Sequence, residues 1–302
     1  MLVSSDIGDL VDSFPSNYQR IKRLKAAKIP FELAVGLGYV TEKQEILITD
    51  PESGKIRVLD NNGNYVREVI PLETLQKPGA MCISDKNEIF IEDIILEKVL
   101  IFDKDFNYLR ELGDSRIQMS LNMTIDNADY VVYMTSFLNN NLTAWNAQSC
   151  EFVNQIYLNS PLSLAVSRDR ILVISAVDVG IFSREYTAQI SENNNNCVFV
   201  IDKKSLEILN SFNISNYIQP KGIIIDADMN FFITAAELQT VNKETISEKK
   251  PNRFLVKFNE NGEFIQKTSL EIDCTFQVLF FEKKILISRG FRSPPLYLIE
   301  FH

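Results

Sequence analysis

The feature that most constrains this chain is a segment between Glu45 and Glu111 that is written twice. Ile46-Leu47-Ile48-Thr49-Asp50 returns as Ile89-Phe90-Ile91-Glu92-Asp93. Lys55-Ile56-Arg57-Val58-Leu59-Asp60 returns as Lys98-Val99-Leu100-Ile101-Phe102-Asp103, and Asn64-Tyr65-Val66-Arg67-Glu68 as Asn107-Tyr108-Leu109-Arg110-Glu111. Every pair keeps one offset, 43 residues, without slipping. Each fragment is short and rich in β-branched and aromatic residues, so each reads as a strand. Short strands recurring at a fixed period of roughly 40–50 residues are the mark of a propeller blade.

From this unit the chain divides into about Phe31–Ile70, Pro71–Gly113, a degenerate Asp114–Leu158, Asn159–Ile214 and Ser215–Leu270. Three strands remain at the end: Phe276–Phe281, Ile285–Ser288 and Leu296–Phe301. The fourth lies at the front, because Asn17-Tyr18-Gln19-Arg20 matches the last strand of both clear repeats with no repeat before it. The expectation is an all-β, six-bladed propeller over residues 17–302, its last blade completed by Tyr18–Leu24, with residues 1–16 as a lead-in. Closure of this kind leaves no open end of the array to fray. Asn61-Asn62-Gly63, Asp103-Lys104-Asp105 and Asn259-Glu260-Asn261-Gly262 fall between third and fourth strands, where tight hairpins need positive φ.

Composition excludes much. The chain has 302 residues, 45% of them hydrophobic and 24% charged, which describes a folded rather than a disordered chain. A net charge of −9 opposes broad, non-specific nucleic-acid binding. The single histidine is His302, at the very end, so Ser–His–Asp and Cys–His nucleophile systems and multi-His zinc sites lack their internal imidazole. Cys82, Cys150, Cys197 and Cys274 share no metal-ligand spacing and read as free apolar thiols. Trp145 reads as core. No apolar run approaches a membrane-spanning length. The opening MLVSSDIGDLVDSF has no signal-peptide pattern, so the expected compartment is the cytoplasm; the periplasm or exterior is the alternative for a protein whose leader was trimmed.

Two units break the period between their second and third strands. The fourth inserts Ala176–Asn196 and the fifth Glu237–Asn252, both long and polar. Long loops on a rigid scaffold are where binding usually sits, and these two should emerge side by side on one face of the disk. With Arg289–Pro294 they frame a candidate binding surface that holds Phe182, Arg184, Tyr186, Glu237, Arg289, Phe291 and Arg292. Aromatic and Arg anchors of this kind suit a protein or peptide partner.

The unit ILITDPESGKIRVLDNNGNYVREV resembles an NHL repeat, and PGAMCISDKNEIFIEDIILEKVLIFDKDFNYLREL is similar to it, Pro-Gly opening included. The resemblance implies a six-bladed NHL-type propeller. Members of that family bind RNA or proteins, or cleave an amidated-peptide precursor, or serve as extracellular sensors. Secreted six-bladed propellers of Bacteroidota share the rhythm, and related six-bladed folds include calcium-dependent lactonases. By that likeness Asp50 and Asp93 are weak calcium-ligand candidates; the other blades offer Thr135, Ser175, Ala235 and Arg289 at that position, a poor cage for a hard cation. The competing role for both aspartates is to cap the turn that follows. The peptide-cleaving activity needs histidines that this chain lacks. The expected function is therefore a non-enzymatic scaffold for a protein or peptide, with no cofactor, a calcium-dependent lactonase or esterase and an RNA-binding domain being the alternatives. RNA would have to meet Arg289, Arg292 and the lysines near them.

Overall fold

The computed structural model describes residues 21–22, 33–69, 75–176, 196–218, 220–226, 228–237, 253–270, 277–281, 284–288 and 296–300. The chain folds as an all-β propeller. A short strand β1 (Ile21–Lys22) comes first. The first blade follows as β2 (Leu37–Val40), β3 (Glu45–Asp50), β4 (Lys55–Asp60) and β5 (Tyr65–Val69). The second is β6 (Pro78–Ile83), β7 (Ile89–Asp93), β8 (Lys98–Phe102) and β9 (Tyr108–Leu112). The third is β10 (Ser120–Asp126), β11 (Val131–Ser136), β12 (Asn141–Asn146) and β13 (Phe152–Tyr157). The fourth is β14 (Pro161–Val166), β15 (Arg170–Ser175), β16 (Cys197–Asp202) and β17 (Ile208–Asn213). The fifth holds β18 (Tyr217–Ile218), β19 (Ile223–Ile225), β20 (Phe231–Glu237), β21 (Arg253–Phe258) and β22 (Phe264–Ser269).

Four of these blades are each one antiparallel meander of continuous chain; in the fifth, β18 and β19 both pair with β20, followed by β21 and β22. A further sheet joins both ends of the sequence. It contains β23 (Gln277–Phe281), β24 (Lys284–Ser288) and β25 (Leu296–Glu300), and β1 lies antiparallel to β25 with Ile21 opposite Ile299 and Lys22 opposite Leu298. The orphan strand at the front of the sequence is thus paired with the back at Ile21 and Lys22; the rest of Tyr18–Leu24 lies outside the described residues.

The first three strands of a blade are buried on both faces, which is why they read as continuous apolar runs rather than alternating ones. Ile46, Leu47 and Ile48 are all fully buried: Ile46 and Ile48 pack toward Leu286, Leu296 and Leu298 of the closing sheet, and Leu47 toward Met81 and Ile91 of the second blade. The same two-sided packing recurs between second and third, third and fourth, and fourth and fifth blades. A Cβ on Gly222, just before β19, would come within 2.6 Å of Val278 in β23, so the fifth blade and the closing sheet also meet closely. Trp145 is core, as expected, 3% exposed and edge-on to Phe152 at 5.3 Å.

The hairpins between third and fourth strands share one design. Asp60 Oδ1 accepts hydrogen bonds from the Asn62 and Asn64 amides, Asp103 Oδ1 from those of Asp105 and Asn107, and Asn259 Oδ1 from those of Asn261 and Glu263. A left-handed residue then precedes a bulge. It is glycine at Gly63 and Gly262, both with φ of 78°, but Phe106 (64°), Cys150 (62°) and Leu206 (58°) in the other three blades. Packing compensates there: Leu206 is buried and Phe106 lies against the core between first and second blades.

If the closing sheet is part of the same cooperative ring, Leu298→Ala and Leu47→Ala should each cost about 2–5 kcal/mol, because both side chains are fully buried. Urea unfolding should show one transition displaced by a similar amount in both variants.

Candidate functional site

The inner strands of the five blades, together with Val278 and Leu279 of the closing sheet, surround a central channel of about 330 Å³. Its wall is apolar side chain interleaved with strand-edge backbone: Met81, Ile83, Met123 and Leu164 beside Asn122, Thr124 and Ser163. No Asp, Glu, Lys, Arg or His contributes to the lining among the described residues. The titratable groups it does contain are Tyr39 and Cys82, and burial pushes the Cys82 thiol up, away from thiolate chemistry.

Above this neutral wall lies a girdle of polar side chains from the second strands, at the next-to-last ladder position for Thr49, Glu92 and Thr135 and further from the end for Thr234. Thr49 accepts the Gly36 amide at 2.7 Å and donates to the Gly79 carbonyl of the next blade at 2.6 Å. Thr135 donates to the Asn122 and Leu162 carbonyls, both at 3.3 Å, so it also reaches the next blade. Thr234 accepts the Gly222 amide at 3.0 Å. In the second blade the position is Glu92, whose Oε1 accepts the Ser120 amide at 2.7 Å and Oε2 the Ala80 amide at 3.3 Å. Ile174 and Ile287 take the same place in the remaining sheets. These side chains satisfy inner-edge backbone groups that would otherwise be buried without partners.

Glu92 is 1% exposed, and burial raises its carboxyl to about 7; its two amide donors and neighbouring Asp93 only modulate that. On the opposite face, several charges staple neighbouring turns. Lys43 bonds Asp105 at 2.7 Å, Lys104 pairs with Glu42, and Lys86 lies 3.8 Å above the Tyr130 ring. Lys203 reaches across from the fourth blade to Asp126 and Asp129 of the third, at 2.6 and 2.9 Å. They are committed to joints between blades.

Asp50 and Asp93 end β3 and β7; Asp93 is held by backbone amides, and Asp50 by amides at Oδ1, including Ser53 of the following turn at 3.5 Å, with the Arg57 guanidinium 3.9 Å from Oδ2. Asp50 Oδ1 accepts the Leu33 amide at 3.1 Å, and Asp93 accepts Gln76, Ile95 and Leu96 amides at 2.6, 2.9 and 3.2 Å. This is a turn-capping role. The ladder places Ser136 and Ser288 at the position equivalent to Asp50 and Asp93, which corrects the sequence assignment of Thr135 and Arg289; Ser175 is placed as expected. Among the described residues no group of three or more His, Cys, Asp or Glu could hold a metal ion.

Of the other expected site residues, Phe182, Arg184, Tyr186, Arg289, Phe291 and Arg292 lie outside the described residues, and of Glu237 only its place at the end of β20 is described. The strands that flank the two insertions, β15–β16 and β20–β21, stand in adjacent blades and end on one face. The girdle was not anticipated from sequence. Its signal was present, as the polar residue just before the strand-ending Asp in both clear repeats, Thr49 and Glu92.

No family model matches the chain, and no curated protein does. Solved structures do. Hydrazine synthase from Kuenenia stuttgartiensis superposes with a TM-score of 0.63 at 13% identity, covering 89% of this chain and 77% of that one. A streptogramin B lyase superposes with a TM-score of 0.60 at 10% identity, covering 94% of this chain and 97% of the other. At such identities the likeness is one of fold, the β-propeller.

Glu92 makes stability pH-dependent in a defined direction. A carboxyl whose folded pKa lies above its unfolded one stabilises fully below the unfolded value, and that contribution is lost as pH rises through the folded value. The wild type should therefore lose on the order of 3 kcal/mol relative to Glu92→Gln between about pH 5 and 8. Chemical denaturation of both proteins across that range gives the comparison.

Proposed function

We propose that the protein is a binding scaffold, a closed six-bladed ring related to NHL-repeat propellers, that recognises a protein or peptide at a mouth of its central channel. The observation that carries this reading is the chemistry of the channel wall: apolar side chains and strand-edge backbone, without a carboxylate, a histidine or a cation among the described residues. Such a wall suits a neutral, partly apolar group inserted from a partner, because backbone donors and acceptors serve its polar atoms and thioether and aliphatic side chains its carbon. The insertions at Ala176–Asn196 and Glu237–Asn252, with Arg289, Phe291 and Arg292, would add the surrounding contacts.

The calcium-dependent hydrolase reading has less support, since the carboxylates of Asp50 and Asp93 are held by backbone amides. The neighbours named as a synthase and a lyase demonstrate that a propeller can carry catalysis, but at their identities they do not transfer a reaction to this chain. RNA recognition would need a basic face, and many of the described cations are paired with carboxylates, within a blade as at Arg67–Glu45 and Arg110–Glu88 or across a joint as at Lys203–Asp126.

Selection of a random-peptide library on the wild type should enrich peptides with an apolar centre. Their affinity should fall at least about tenfold for Thr124→Trp, at a partly exposed position of the channel lining, while the melting temperature with and without added calcium stays the same. Peptides that bind the plugged variant equally well would sink the channel reading, and a calcium-dependent rise in melting temperature would favour the hydrolase.

A further inference from the structure

The outermost strand of every blade presents one free edge, and an unprotected edge is a template for pairing with another chain. Among the described blades these strands are β5, β9, β13, β17 and β22, each last in its sheet. They are not protected alike. One ladder position, two residues past the bulge, decides the difference. It is Glu68 in β5, Glu111 in β9, Gln155 in β13, Ser211 in β17 and Lys267 in β22, opposite Arg57, Leu100, Thr143, Phe199 and Val256 respectively.

At this position the backbone faces outward. In β13 the Gln155 amide is turned away from β12 and is taken instead by the Asn154 side chain at 2.9 Å; Ser211 and Asn210 repeat the arrangement at 2.8 Å. Consider two copies of one such edge paired antiparallel about a two-fold axis through this residue. The residue then meets itself, and the residue two before it meets the residue two after it. In β5 and β9 glutamate would face glutamate, and in β22 lysine would face lysine, which is repulsive. In β13 glutamine faces glutamine, whose amides are mutually complementary, and Val153 faces Tyr157 on both sides, a β-branched–aromatic pair of the kind sheets favour. In β17 serine faces serine, but Leu209 would face Asn213, a mismatched pair.

Exposure agrees with this choice. Val153 is 54% and Tyr157 71% exposed, on the same face of β13, where the Gln155 side-chain amide also donates to the Tyr157 hydroxyl at 3.2 Å. No charged side chain occurs anywhere in Phe152–Tyr157, whereas the chain as a whole carries a net charge of −9 that would otherwise keep copies apart. The end of β17, by contrast, is crowded by the fifth blade, with Phe212 against the turn at Gly262.

We propose that the rim of the third blade is a self-association site, at which β13 pairs antiparallel with β13 of a second copy of this chain about a two-fold axis at Gln155. The Gln155 amide exchanges its bond to the Asn154 side chain for one to the facing strand, and the two four-stranded sheets become one continuous sheet. Such an edge is small, so the dimer is weak and depends on concentration.

Sedimentation velocity over a roughly hundredfold range of protein concentration should show a monomer–dimer equilibrium. Gln155→Lys copies the residue that β22 carries natively and so should leave the fold intact, yet it should weaken dimerisation at least about tenfold. Gln155→Glu should do the same, and mixing the two variants should restore a dimer through the opposite charges, which a mere folding defect would not produce. Ser211→Lys should leave the equilibrium unchanged. A wild type that stays monomeric throughout, as it would if the edge served another protein's strand, overturns the proposal. So does a dimer indifferent to Gln155→Lys, or one abolished by Ser211→Lys.

Discussion

The structure depends on sheets packed face to face with both faces of each buried. A single blade cannot bury its apolar surface; Ile46 needs Leu286 of the closing sheet on one side just as Leu47 needs Met81 of the next blade on the other. Hydrophobic contact of this kind is non-directional and would tolerate sliding between sheets. The girdle removes that freedom at three consecutive joints, because Thr49, Glu92 and Thr135 each bond a backbone group of the following blade. Packing supplies the attraction and these bonds fix the register.

That division of labour frees the two ends of the channel. On one face the turns are joined by charge pairs such as Lys203 with Asp126, so their ionic groups are already employed. The channel between is left neutral. A neutral shaft inside a charged, acidic molecule offers shape and backbone-like hydrogen bonding more than charge.

Much of the fold was legible because the repeat is exact where it matters. The spacing between Ile46 and Ile89 located strands, and the tyrosine-led motif at Asn17 anticipated the pairing of Ile21 with Ile299. The third blade read as degenerate because its last strand slips one place out of step, with Phe152 where the period calls for residue 151, although Val132 and Leu142 keep the spacing. The turns at Gly63, Asp103–Asp105 and Gly262 were legible, but the left-handed residues Phe106 and Leu206 were not, because there tertiary packing holds a bulky residue in a conformation that local preference disfavours. The site was less legible. Asp50 and Asp93 drew attention as acidic residues, but whether a carboxylate faces solvent, a metal or a row of amides is a matter of three-dimensional placement that strand periodicity does not encode.

The girdle also makes the joints of the ring chemically unequal. Threonine hydroxyls bridge the first and third joints and are indifferent to proton activity, whereas the joint between second and third blades is bridged by a carboxyl. Between fourth and fifth blades the corresponding side chain is Ile174, which contributes shape alone. A ring fastened in this mixed way responds unevenly: raising the pH toward neutrality weakens it beside Glu92, whereas the joint beside Ile174 depends on packing alone.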